Sequence, residues 1–152
     1  MKPYVACDPL PEIEIALKMT PIWLTIPYHG KNLSVQSISP TAFIIVKGLL
    51  IKHRSNIEKT PKDLASIAFV LRFSPDPEKV VKKIYSLSKH ESVKEFSCII
   101  KDLFQDQDET RRGFVMLEPY FREWGIPQGR IENEIALTFK PLFSIFESCD
   151  FR

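Results

Sequence analysis

The sequence has few cysteines. Cys7, Cys98 and Cys149 are odd in number, far apart and at no metal-ligand spacing. That excludes a disulfide framework and a cysteine zinc site, and reduced thiols of a cytoplasmic protein are the simplest expectation. The three histidines, His29, His53 and His90, fall in separate elements at no ligand spacing either. Long apolar runs are missing. The opening MKPYVACDPLP has no apolar signal core and no stretch approaches the length of a membrane span, so neither secretion nor membrane insertion is expected. An excess of one charge is missing too. A net charge of +2 argues against general coating of nucleic acid and leaves only a local basic patch to consider. Glycine is scarce, five against twelve prolines. Most of the prolines sit at helix starts or between elements and read as punctuation. No Ser–His–Asp, Walker or zinc pattern occurs, so the sequence declares no complete active site.

What is present is ordinary globular material: 44% hydrophobic and 26% charged residues over 152, enough for one core and one domain, 1–152. Residues 1–38 read as strands and a hairpin, residues 39–152 as mainly helical. Glu12 to Lys18 alternates at its start and reads as a strand, with a helix as the rival. Ile22, Leu24 and Ile26 share one face of a second strand, His29 to Asn32 turns the chain, and Leu33 to Ile38 alternates again. Pro27 has no N–H to give to a ladder and belongs on an edge or at a strand end. The expected fold is α+β: a small antiparallel sheet of two or three strands followed by a bundle of about five helices. So few strands leave an edge open, and an open edge invites self-association or a partner chain.

The charges that look placed lie in Ser39 to Leu71. Ser39-Pro40 and Thr60-Pro61 both read as helix starts, a hydroxyl cap followed by proline at the first helical position. Asn56 is a plausible stop between them. Around the first helix, Phe43, Ile44, Ile45, Val46, Leu49, Leu50 and Ile51 cover most of the circumference, which marks a buried helix. Gly48 and Lys52 fill the remaining gap, with Lys52 facing solvent. Lys47 and Arg54, seven apart, share a face inside the apolar sector. A cation shielded from water needs an anion, and arginine cannot escape by losing its proton. Three arrangements satisfy this: heads that reach water along apolar stems, a buried pair with Asp63 or Glu58, or a bound phosphate.

The order Ser-Pro, apolar helix with an internal lysine, then arginine, then Lys-Asp-Leu resembles the second half of nucleotidyltransferase-fold proteins. The likeness is to abortive-infection type toxins and minimal nucleotidyltransferases of bacterial or phage type. It covers about a third of the chain, through Lys47, Arg54, Lys62, Asp63 and Leu64. The resemblance implies that Lys47, Arg54 and Lys62 contact phosphates of a nucleotide, that Asp63 orients one of them, and that Mg or Mn takes part. Glu14 or Glu12 would stand for the third metal carboxylate. Two departures are plain. Lys52 stands where the toxin-like members carry an acid. No Gly-Ser turn with Asp-x-Asp precedes Glu12, and two-metal phosphoryl transfer needs clustered carboxylates. The implied protein is therefore a phosphate-binding relative, inactive alone, or one part of a two-chain assembly.

Beyond Leu71 the pattern is helical. Ser74 to Glu78 is a turn into a capped start, and Val80, Val81, Ile84, Tyr85 and Leu87 form an apolar stripe. Val93, Phe96, Ile99, Ile100, Leu103 and Phe104 form another. Lys82, Lys83, Lys89, Lys94 and Lys101 read as solvation of outer faces. Asp106, Asp108 and Glu109 read as a helix end and acidic first turn that Arg111 and Arg112 neutralise, rather than a metal site. Phe114 to Trp124 is a dense aromatic segment, core or docking surface, and Ile131 to Phe146 a last helix bent by Pro141. The rival function is a non-catalytic helical protein-interaction module that uses this aromatic segment.

Overall fold

Two positive-φ residues decide the hairpin. His29 (φ 46°) and Gly30 (φ 74°) form a two-residue turn of the kind whose twist matches that of paired strands. The turn joins β1 (Ile22–Tyr28) and β2 (Lys31–Ser37) antiparallel, with Tyr28 opposite Lys31, Ile26 opposite Leu33 and Leu24 opposite Val35. These two strands are the whole sheet among the residues that the computed structural model describes, 14–53, 57–105 and 111–148. Before the hairpin comes a short helix, α1 (Glu14–Lys18). The strand expected over Glu12 to Lys18 is corrected there. Glu14 and Lys18 are four apart and pair at 2.6 Å, as they do on a helix, while Ile15 and Ala16 turn inward together. Glu12 lies outside the described residues.

Six helices follow: α2 (Pro40–His53), α3 (Thr60–Phe73), α4 (Pro77–Ser86), α5 (Glu91–Phe104), α6 (Arg112–Glu123) and α7 (Ile131–Ser148). The α+β class, a small antiparallel sheet and then a helical bundle, is as expected. The punctuation explains most boundaries. The Ser39 hydroxyl accepts from the Ala42 N–H at 3.2 Å, with Pro40 as the first helical residue. Asp76 accepts from the Lys79 N–H at 2.9 Å ahead of Pro77. His90 Nδ1 accepts from the Ser92 N–H at 3.3 Å and starts α5. Thr60 differs from its expected role. A 3-10 turn at Ile57–Lys59 leads into α3, so Thr60 is already helical and buried, and the position before it makes no side-chain cap. The stop expected at Asn56 lies outside the described residues.

Helix α2 is the centre of the bundle. It packs against α1, α3, α4 and α5, which is why it is apolar nearly all round. Ala42, Ile44 and Ile45 are fully buried, and the core continues through Leu64, Ile67, Ile84, Phe96, Leu117, Phe121 and Phe139. Gly48 is corrected: it faces α5, not solvent. A Cβ there would overlap the Phe96 ring, so the missing side chain lets the two helices approach. Helix α7 runs unbroken through Pro141.

Candidate functional site

Lys47 sits on the α2 face that meets α3, and Asp63 in the first turn of α3 meets it. Lys47 Nζ donates to Asp63 Oδ1 at 2.8 Å. Asp63 is only 2% exposed. The Lys47 head also stands 5.7 Å from the centre of the Phe43 ring, on the preceding turn of α2. Of the three arrangements open from sequence, Lys47 takes the shielded ion pair, clamping α2 to α3. Arg54, expected on the same face, lies outside the described residues. Lys62 is next to Asp63 in sequence and is exposed. It borders a groove of about 310 Å³ lined by Phe43, Phe69, Val70, Tyr120 and Trp124. The structure therefore brings Lys47 and Asp63 together and leaves Lys62 beside an aromatic groove.

That groove shows what the aromatic segment does. Leu117 and Phe121 of α6 are buried in the core, whereas Tyr120 and Trp124 are half-buried at its rim. Trp124 meets Phe69 and Phe73 edge-on, with ring centres 5.8 and 5.6 Å apart. Leu117 and Phe121 anchor the segment in the core, Phe114, Met116, Tyr120 and Trp124 pack partly buried against it, and its outer edge continues onto α3. Arg111 pairs with Glu132 of α7 at 2.7 Å and stacks on Phe114. Asp106, Asp108 and Glu109 lie outside the described residues.

Glu14 stands exposed on α1. Its bond to Lys18 holds its carboxyl below the usual carboxylate range. Its expected companion Glu12 lies outside the described residues, and among the described residues no group of three His, Cys, Asp or Glu side chains could hold a metal. Sequence reasoning missed a second charged cluster. Lys52, at the end of α2, reaches Glu95 of α5 at 2.8 Å, and His53 Nε2 lies 3.4 Å from the same oxygen. Lys52 is exposed as expected but not merely solvated. Its bond lowers the carboxyl pKa of Glu95 and raises that of its own ammonium. A third pair, Arg72 to Glu134 at 2.8 Å, ties α3 to α7. No sequence signal announces pairs 43 or 62 residues apart; only helix packing creates them.

The hairpin is the other unusual feature. Leu24, Ile26, Leu33 and Val35 share one face and are each 40 to 45% exposed. Trp23, on the opposite face, is 67% exposed. Among the described residues, no helix packs extensively against either strand. No described helix is long and apolar enough to cross a membrane. No family model, no curated protein and no solved structure matches the chain.

Proposed function

We propose that the chain is a non-catalytic helical interaction module that assembles with a second copy through the free edge of β2. The observation that carries this is the unsupported hairpin. A two-stranded ribbon alone is marginal in water, and three or more strands are needed for independent stability.

The register chooses the edge. Residues flanking a two-residue turn form a hydrogen-bonded pair, so Tyr28 with Lys31 is bonded, and the pattern alternates from there. The outward N–H and C=O groups then belong to Trp23 and Thr25 on β1, and to Asn32, Ser34 and Gln36 on β2. Pro27 is the remaining outward position of β1 and has no N–H, which blunts that edge. β2 has no proline. A two-fold axis at Ser34 would pair β2 with its copy antiparallel. Asn32 would then face Gln36 of the copy, Leu33 would face its Val35, and Lys31 would face its Ser37. No like charges meet, and the apolar faces join into one four-stranded face. Such an edge buries less than the roughly 800 Å² per partner of a standard interface, so the dimer is weak and concentration-dependent. The exposed thiol of Cys98 suits a reducing, cytoplasmic setting.

Sedimentation velocity over a wide concentration range tests this. A monomer–dimer equilibrium abolished by Ser34→Pro supports it. A strict monomer, or a dimer indifferent to Ser34→Pro but lost in Leu24→Ser with Val35→Ser, would sink the edge pairing.

A second reading keeps the nucleotidyltransferase-like resemblance as a binding proposal. Its support is Lys62, an exposed cation with no ion pair among the described residues, beside the aromatic groove where a phosphate and a base could be held together. Lys47 is less available because Asp63 holds it. Titration with ATP and magnesium or manganese checks this, and unchanged binding in Lys62→Glu would remove it.

A further inference from the structure

A cleft of about 860 Å³ lies between the end of α1, the start of α2 and one side of α4. Its volume is in the range of small-molecule sites. Thr41 Oγ1 donates to the Val80 carbonyl at 3.3 Å and ties α2 to α4 on its wall. Met19, Ile22, Pro40, Val80 and Leu87 give the lining its apolar part. The charged part is one-sided. Lys18, Lys79, Lys82 and Lys83 all border the cleft, against Asp76 alone among acids.

The pairing of these groups is uneven. Lys18 is held by Glu14 at 2.6 Å and Lys82 by Glu78 at 3.5 Å. The Asp76 carboxylate is engaged by the Lys79 backbone N–H as a helix cap. Neither the Lys79 nor the Lys83 ammonium has an acid within ion-pair distance among the described residues. They are four apart on one helix, so they face the same way and repel each other. The first turn of α2, which opens on the cleft at Pro40 and Thr41, carries no acidic residue to offset its positive end. Two cations without an acid partner among the described residues, beside an apolar hollow, describe the complement of one kind of molecule.

We propose that this cleft binds a soluble amphiphile with an acidic head, a carboxylate or phosphate monoester on an unbranched apolar chain. The head lies between Lys79 and Lys83, and the chain lies along Val80, Leu87 and Met19. The bound acid relieves the repulsion of the lysine pair, so binding weakens as salt rises. This site is independent of the β2 edge and of the groove at Lys62.

Calorimetric titration of the full chain with monomeric dodecanoate, dodecyl phosphate, dodecanol and inorganic phosphate tests it. The two acids are expected to bind one to one. Dodecanol and inorganic phosphate should each bind at least about tenfold more weakly, since a charge-assisted hydrogen bond contributes about that factor or more. Lys79→Gln with Lys83→Gln should weaken the acids about tenfold and leave dodecanol unchanged. Both lysines are exposed, so an unchanged helical circular dichroism spectrum shows that this variant folds. Leu87→Asp should weaken acids and alcohol alike. Absence of saturable one-to-one binding would overturn the proposal. So would equal affinity of the acids for the double glutamine variant, or inorganic phosphate binding as tightly as dodecyl phosphate.

Discussion

Helix α2 and the hairpin carry similar side chains and meet opposite fates. Ile44 and Ile45 are fully buried, while Ile26 and Leu33, earlier in the chain, are left close to half exposed. Composition does not explain the difference. Helix α2 satisfies its own backbone and can be surrounded, so four neighbours close over it. A two-stranded ribbon leaves an outward row of N–H and C=O groups on each edge, and a helix packed on its face does not satisfy them. Burial of the hairpin needs another strand. The bundle has none to offer among the described residues, and a second β2 does.

The comparison breaks most visibly if α2 proves tolerant. Gly48→Leu forces a side chain into Phe96, which is itself buried against Phe146, and should cost about 3 kcal/mol or prevent folding. Gly129→Ala, with open space around it, should stay within about 0.5 kcal/mol in the same urea titration. Equal midpoints would mean that the α2–α5 approach is not tight.

Next in size is the clamp between α2 and α3. Asp63→Ala strands the Lys47 ammonium in a shielded place. Because that ammonium retains some contact with water, the loss should be about 2 kcal/mol, under the value for a fully buried pair. Replacing both partners, Lys47→Met with Asp63→Leu, should recover most of it. A double variant as unstable as Asp63→Ala would show that packing, not charge, is at stake.

The hairpin should respond in the opposite manner. Ser34→Pro is expected to change the unfolding midpoint of the monomeric bundle by no more than about 0.5 kcal/mol while removing self-association. A large loss of helix would tie the ribbon to the core.

Smallest is an acid effect. Arg72, and then Arg130, hold Glu134 below its ordinary carboxylate value of 4.5. The folded chain thus binds fewer protons than the unfolded one in that region. The stability so gained is complete above about pH 4.5 and fades as pH falls through the depressed folded value. Glu134→Gln should flatten this acid limb in melting curves from pH 6 to 3. Glu95, held down by Lys52, should give a similar but separate flattening in Glu95→Gln. Unchanged limbs would mean that neither pair persists in solution.

Local chemistry made much of the fold legible. The Ser39 and Asp76 caps, the turn at His29-Gly30 and the stripes of α4 and α5 each lie within a few residues, where spacing and side-chain type suffice. Lys47 with Asp63 was legible because a cation in an apolar sector must find an anion, and one lay a short connection away. Gly48 was not, because its purpose depends on Phe96, which only the packing of α5 brings near. The strand expected at Glu12 to Lys18 failed because EIEIALK supports both periods over so short a stretch. Lys82 and Lys83 read as mere solvation of an outer face, because the cleft beside them is made only when α1 and the start of α2 pack near α4.

Amide hydrogen exchange on β2, read at low and high protein concentration, tests the edge pairing most directly. The N–H groups of Asn32, Ser34 and Gln36 should exchange freely when dilute and become protected together when concentrated. Those of Trp23 and Thr25 should stay fast at both. Free exchange of all five at every concentration, or protection on the β1 side instead, would contradict assembly through β2.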